Sequence, residues 1–206
     1  MANPKWLDWA QRLQALAQDG LAYTRNPFDA ERFHQVIDVA AEIIASNSDA
    51  GLPAIQNLFD AQSGYMTPKV DIRGVVFKDE QVLLVRELAD GLWTLPGGWV
   101  DVNEPPSHAV EREVFEESGY EVKAKRLMAL YDRNKHGHPA YIFHLYKVYI
   151  QCELVGGYPQ DSLETEGARF YPEDGIPPLS IGRTTPQVLS RLFELYRNPD
   201  LPADFD

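Results

Sequence analysis

The residues best equipped for chemistry lie in Arg112-Glu113-Val114-Phe115-Glu116-Glu117-Ser118-Gly119. On a helix, Glu113 and Glu117 stand four apart and Glu113 and Glu116 three apart, so all three carboxylates project from nearly one face. Arg112 flanks that face. Val110, Val114 and Phe115 can turn the other way, into a core. Ionised carboxylates held this close repel one another. A hard cation such as Mg2+ or Mn2+ removes the repulsion and prefers carboxylate oxygen. The triplet by itself has a plainer reading as well, a solvated acidic face.

The surroundings favour the cation site. Upstream stands Leu95-Pro96-Gly97-Gly98-Trp99, and two glycines before a helix make a loop whose backbone can approach another group closely. A carbonyl of that loop can ligate a metal, and its amides can face phosphate oxygens. Glu104 follows Gly98 with five residues between them, and Arg112 follows Glu104 with seven.

Gly98, Glu104, Arg112, Glu113, Val114, Glu116, Glu117, Gly119 and Tyr120 together fill every specified position of the Nudix signature. The soft departure is Tyr120, where an aliphatic residue is more usual. The chain therefore resembles the Nudix family. The resemblance implies an α/β fold, a Nudix α/β/α sandwich with a mixed sheet, and hydrolysis of a diphosphate linked to another moiety with Mg2+ or Mn2+. It makes Glu113, Glu116 and Glu117 metal ligands, with the Gly98 carbonyl as a further one. Glu116 and Glu117 count as catalytic. Arg112 joins them as an orienting partner of Glu104 rather than a substrate contact, and Gly119 allows the turn after the helix.

The base that takes the proton of the attacking water varies across the family. Two later acids compete for an added role, Glu164 and Glu166 in Ser162-Leu163-Glu164-Thr165-Glu166. Many Nudix proteins carry an acid six residues before the aromatic of the next strand, and Glu164 stands six before Phe170, which favours Glu164. Both have the alternative of being ordinary loop acids. Arg73 and Arg86 are candidate phosphate contacts, since guanidinium binds phosphate in bidentate fashion; the alternative is a strand arginine paired with a carboxylate such as Glu87. Trp99 and Trp93 flank the glycine loop and can stack on a base or wall the pocket. Lys135 and His136 lie in a polar loop that either reaches the site or stays at the surface.

These groups need elements to hold them. Pro105–Ser118 reads as a helix, with proline in its first turn and Gly119 past its end. Val70–Phe77 and Gln81–Val85 read as strands joined at Lys78-Asp79-Glu80, Tyr141–Cys152 as a long strand, and Ala168–Tyr171 as another. Pro186–Tyr196 reads as a closing helix. Residues before Gly64 read as a small helical N-terminal domain: a helix from Trp6 stopped by Gly20, one starting near Asp29, and a short one over Leu52–Phe59. The expected division is 1–66 helical and 67–206 Nudix. Several stretches, among them Gly64–Arg73, Leu84–Glu87 and Asp132–His136, are similar to a Nudix subgroup with such an extension, described as hydrolases of nucleoside diphosphates linked to X, including CDP-choline and ADP-ribose. Three short helices bury little alone, so they should pack on their own Nudix domain or on a partner subunit; a homodimer whose N-terminal helices help close the substrate pocket is expected.

Bulk properties narrow the partners. A net charge of −12 argues against a broad footprint for duplex nucleic acid, and thus against an RNA-end pyrophosphohydrolase. A nucleotide-sensing regulator without turnover is the other alternative; it usually carries a basic helix-turn-helix, whereas this chain ends in a helix and an acidic tail. No apolar run nears the ~18 residues that span a bilayer. The N-terminus shows no signal peptide, so a cytoplasmic protein with no membrane partner is expected. Cys152, the single cysteine, sits in an apolar run and reads as a buried small hydrophobe.

Overall fold

The computed structural model describes residues 4–206; the expected helical domain starts at residue 1, and residues 1–3 lie outside the described part. The chain divides into two compact units. One ends at Pro68 and takes in Ala140–His144; the other holds Lys69–Pro139 and Leu145–Asp206.

The helical unit contains α1 (Lys5–Tyr23), α2 (Pro27–Ser46) and α3 (Leu52–Asp60). Gly20 does not stop α1. A Cβ there would lie 2.4 Å from the Phe33 ring, so this glycine is where α2 presses its aromatic onto α1. α2 starts one turn's fraction earlier than Asp29, because Asn26 caps it by accepting from the Phe28 amide at 3.0 Å and Pro27 fits the first helical position. Leu7, Ala10, Ala40, Ala41, Ile44, Ile55 and Phe59 form the core. Residues 141–144 are not part of a strand. The Gln11 amide donates to the carbonyls of Tyr141 and Ile142, each at 3.0 Å, and Ile142 packs against the helical core.

In the second unit β1 (Lys69–Lys78) and β2 (Gln81–Glu87) form a hairpin. Asp79 and Glu80 at its tip both have positive φ, as the tight primed turns require. The sheet also holds β3 (Trp93–Thr94), β4 (Tyr120–Asp132), β5 (Leu145–Gly157), β6 (Thr165–Tyr171) and β7 (Asp204–Phe205). Its order is β3-β2-β1-β5-β4-β7, with β6 added on β2. The β1–β5 and β4–β7 pairs are parallel and the others antiparallel, so the sheet is mixed.

Helix α4 (Pro106–Ser118) covers one face, burying Ala109, Val110 and Val114 against Ile72, Val76, Leu83, Val85 and Ile150. Helix α5 (Pro186–Arg197) covers the other, with Val188, Leu189, Leu192 and Phe193 on Val75, Leu84, Met128 and Tyr149. The result is the expected α/β/α sandwich. Phe115, however, is half exposed and leaves the α4 core to the valines. Cys152 is buried as expected. Among the described residues no helix is long and apolar enough to cross a membrane.

Helix α4 approaches the sheet closely at Gly74 on β1. A Cβ there would stand 2.3 Å from Val114 Cγ2 and 3.3 Å from Val110 Cγ2. Gly74→Ala should therefore cost about 1–3 kcal/mol by overpacking, a fall of ~2–4 °C in melting temperature per kcal/mol for a chain of this size. Calorimetry should also show non-additivity: Gly74→Ala should cost less in a Val114→Ala background than in wild type.

Candidate active site

The site is built on the edge of β1. That strand pairs with β2 only at the hairpin, through Phe77 and Lys78. Upstream, the strip Pro96–Val100 takes its place. The Gly74 amide donates to the Pro96 carbonyl at 2.8 Å, Ile72 to Gly98 at 2.8 Å, and Val100 back to Val70 at 3.3 Å. The strip thus runs antiparallel to β1. Gly97 makes this possible: its φ is +139°, and a Cβ would fall 2.0 Å from the Ile72 carbonyl. Gly98 is closely approached from the helix side. A Cβ there would crowd the Glu113 carboxylate at 3.0–3.2 Å.

Helix α4 presents its acids to this strip. The Gly97 amide donates to Glu117 Oε2 at 2.8 Å. Glu117 is buried, and burial pushes its carboxyl up to about 8 against the opposing pull of Arg73 and the Gly97 amide. Burial also raises Glu113, although Arg112 counteracts it. Glu116 is more exposed, with its side chain 56% accessible. Arg112 binds Glu104 in bidentate fashion, with both nitrogen–oxygen distances 2.8 Å, as expected of an orienting pair. Its Nη1 also donates to Glu113 at 2.9 Å and Glu116 at 3.0 Å. Gly119 ends the helix at φ +74°, where a left-handed residue is required.

Among the described residues no three acidic, imidazole or thiol groups converge as a metal-binding group. The cause is local: Arg112 Nη1 stands between Glu113 and Glu116, and Glu117 is turned to the Gly97 amide. The donor set still fits a hard divalent cation. Glu113, Glu116 and Glu117 offer carboxylate oxygens on one helix face, with Glu113 against Gly98, and Glu117 is a buried carboxylate with no ion-pair partner among the described residues. The Gly98 carbonyl already accepts from Ile72, which leaves one lone pair for a ligand.

The other expected residues divide. Trp99 lies in the strip opposite Asp71 and is half exposed. Glu164 is exposed at the start of β6, and its carbonyl accepts from the Leu88 amide at 2.9 Å. Glu166 is elsewhere, held by Arg86 at 2.9 Å. Arg86 also donates to the Gly91 carbonyl at 2.9 Å and lines an open groove with Trp93, Glu166, Arg169 and Tyr171. Arg73 departs from the phosphate-contact expectation. It is buried, and its fork is closed on Asp71 at 2.9 and 2.8 Å. His136 stacks on Tyr131 and pairs with Asp206 at 3.0 Å.

The sequence reading missed Glu87 as a site acid. It is buried at the end of β2, raised by burial, and within electrostatic reach of both Glu117 and Glu164. Arg183 holds it at 2.8 Å, not Arg73 or Arg86. The bulge at Gly167, φ +69°, shifts the β2–β6 register just here. The available signal was an acid closing an apolar strand.

The Glu117 shift has a measurable sign. With a folded value near 8 and an ordinary value of 4.5, the native state holds the proton that the unfolded state has lost. Glu117 therefore adds nothing at acid pH and costs stability as pH rises, up to about 1.4 kcal/mol per pH unit, levelling above its folded value. Denaturation of metal-free protein should show wild type losing stability relative to Glu117→Gln between about pH 5 and 8. Parallel pH profiles for the two proteins would contradict the burial argument.

Comparison with known proteins agrees with this geometry. Residues 67–192 match the NUDIX domain family, and residues 4–59 match a family described as a UDP-X-like, N-terminal oligomerisation domain. A Bacillus subtilis (strain 168) protein named "Putative ADP-ribose pyrophosphatase YjhB" is 44% identical over 98% of this chain and 97% of its own. The crystal structure of a UDP-X diphosphatase, 29% identical, superposes with a TM-score of 0.65 over 100% of both chains. That of an ADP-ribose pyrophosphatase from Streptococcus suis 89-1591, 40% identical, gives 0.63 over 68% of this chain and 100% of that one. By its signature helix, its sandwich and these matches, the chain belongs to the Nudix family and is a Nudix hydrolase.

Proposed function

We propose that the protein hydrolyses the diphosphate bond of a nucleoside diphosphate linked to another moiety, such as ADP-ribose or CDP-choline, in the presence of Mg2+ or Mn2+. The products are a nucleoside monophosphate and phospho-X. The observation that carries this reading is the docking of the Glu113 and Glu117 carboxylates against the Gly97-Gly98 backbone. Relatives named for ADP-ribose and UDP-X support the substrate class.

In this reading Glu113, Glu116, Glu117 and the Gly98 carbonyl would hold the metal. When bound, a divalent ion offsets charge on the phosphoryl oxygens and lowers the pKa of water. The chain's own residues do the rest. Arg112, anchored on Glu104, releases Glu113 and Glu116 toward the ligand while keeping the helix face fixed. Water attacks phosphorus as the bond to the bridging oxygen breaks, and Glu164, exposed at the rim, takes the water proton. Trp99 offers an aromatic face for the base, and Arg86 meets the phosphates by exchanging Glu166 for substrate.

The helical unit is proposed to form a homodimer. Trp9, Leu16 and Tyr23 recur every seven residues along α1 and are 55%, 68% and 74% exposed. Such a stripe on one helix fits a second copy better than solvent.

Two measurements test these statements. Incubation with ADP-ribose, CDP-choline, nucleotide sugars, dinucleoside polyphosphates and nucleoside triphosphates should yield monophosphate from the diphosphate-X compounds. Glu116→Gln and Glu117→Gln should each lower turnover by several kcal/mol, on the order of 10²–10⁴-fold. Turnover unchanged in both variants would sink the assignment. Separately, sedimentation should show a dimer that Leu16→Glu converts to monomer with the sandwich still folded; a wild-type monomer at micromolar concentration contradicts the dimer.

A further inference from the structure

Arg73 is anchored on every edge of its guanidinium. Nε lies 2.9 Å from Asp71 Oδ1, Nη2 lies 2.8 Å from Asp71 Oδ2, and Nη1 lies 3.1 Å from the Leu95 carbonyl. Lys147, on β5 directly across from Asp71, holds the same carboxylate at 2.8 Å. The cluster is buried, and burial opposes ionisation, yet the two cations bring Asp71 down to about 2.

A buried ion pair is weak evidence for stability, since apolar side chains of the same size often serve as well. What this pair does supply is position. Leu95 is the residue at which the chain leaves β3 and enters the strip along β1. Two residues on, the Gly97 amide meets Glu117 Oε2 at 2.8 Å. The path from Asp71 through Arg73 and Leu95 to the Gly97 amide is continuous and short. Only a planar fork can close on a carboxylate with one edge and reach a carbonyl with the remaining nitrogen; a lysine ammonium has no such geometry.

We infer that Arg73 is a positioning residue for the hydrolysis: by gripping the Leu95 carbonyl it fixes the Gly97 amide and so places the Glu117 carboxylate. This rests on the metal-dependent reading of the site given above. Lys147 differs from Arg73. It bonds Asp71 and makes no hydrogen bond to the strip among the described residues, and its loss leaves Arg73 and Asp71 as a neutral pair.

The contrast supplies the test. Arg73→Lys and Lys147→Met are compared for kcat, KM, Mn2+ affinity by electron paramagnetic resonance, melting temperature, and hydrogen exchange at the Gly97 amide in metal-free protein. Arg73→Lys should lower kcat and Mn2+ affinity about 10–100-fold, as loss of supporting partners typically does, with KM little changed and the Gly97 amide exchanging faster. Lys147→Met should lower melting temperature alone. If Arg73→Lys does not fold, the neutral pair Asp71→Asn with Arg73→Gln carries the same readouts. The inference is overturned if the two variants lose activity in proportion to stability, if Gly97 exchange stays at the Lys147→Met level, or if KM rises at constant kcat, which would make Arg73 a substrate contact. A wild type that neither binds Mn2+ nor cleaves diphosphates removes the functional reading instead, while Gly97 exchange still decides the positioning.

Discussion

The pairing of the Pro96–Val100 strip with the upstream edge of β1 is the constraint from which the site follows. A strand edge needs partners for its amides and carbonyls. Here β2 supplies them only at the hairpin, and the glycine strip supplies the rest. The strip must then lie flat on β1, which Gly97 permits, and leave room for a carboxylate, which the missing side chain of Gly98 helps provide. Helix α4 crosses the same strand closely at Gly74, so its acids reach the strip with little freedom to move. Three glycines with three different steric reasons thus bring Glu113 and Glu117 to one place.

Much of this was legible beforehand because the relevant signals are local. Helix α4 carries its proline entry, apolar spacing and glycine exit in contiguous residues, and its carboxylate spacing follows from helix periodicity alone. The Arg112–Glu104 pair also appears as the resemblance implies. Strand β4 had no such signal. Its thirteen residues include Glu121, Lys123, Lys125 and Arg126, and its pairing with β5 is broken by register shifts that scramble the alternation. A period of two cannot be read through bulges.

Other differences are tertiary in origin. Gly20 looks like a helix stop in isolation, yet it is a contact point for Phe33, which no local window contains. Residues 141–144 have strand-like composition, but Gln11 claims two of their carbonyls. Arg73 and Arg86 are both strand arginines, and sequence alone gives them equal standing. Their neighbours separate them: Arg73 alternates inward beside Asp71 and Lys147, while Arg86 faces an open groove and pairs there with Glu166. Glu87 escaped notice for the converse reason, since its partner Arg183 lies far along the chain.

The electrostatic layout sets folding against function in a consistent direction. Charges on the α5 side of the sheet are paired internally, with Asp71 shared by Arg73 and Lys147. Charges on the α4 side are left short of cation. Among the described residues Glu117 has a backbone amide and no direct ion pair, and Glu113 and Glu116 share one nitrogen of an arginine already committed to Glu104. An apolar or fully paired arrangement would be less costly for folding. Retaining buried carboxylates with incomplete compensation is what a site for a divalent cation needs, because the binding energy comes from satisfying them. Strip and helix meet at the Gly97–Glu117 hydrogen bond, two residues along the strip from the Leu95 carbonyl that Arg73 holds on the well-paired side of the sheet.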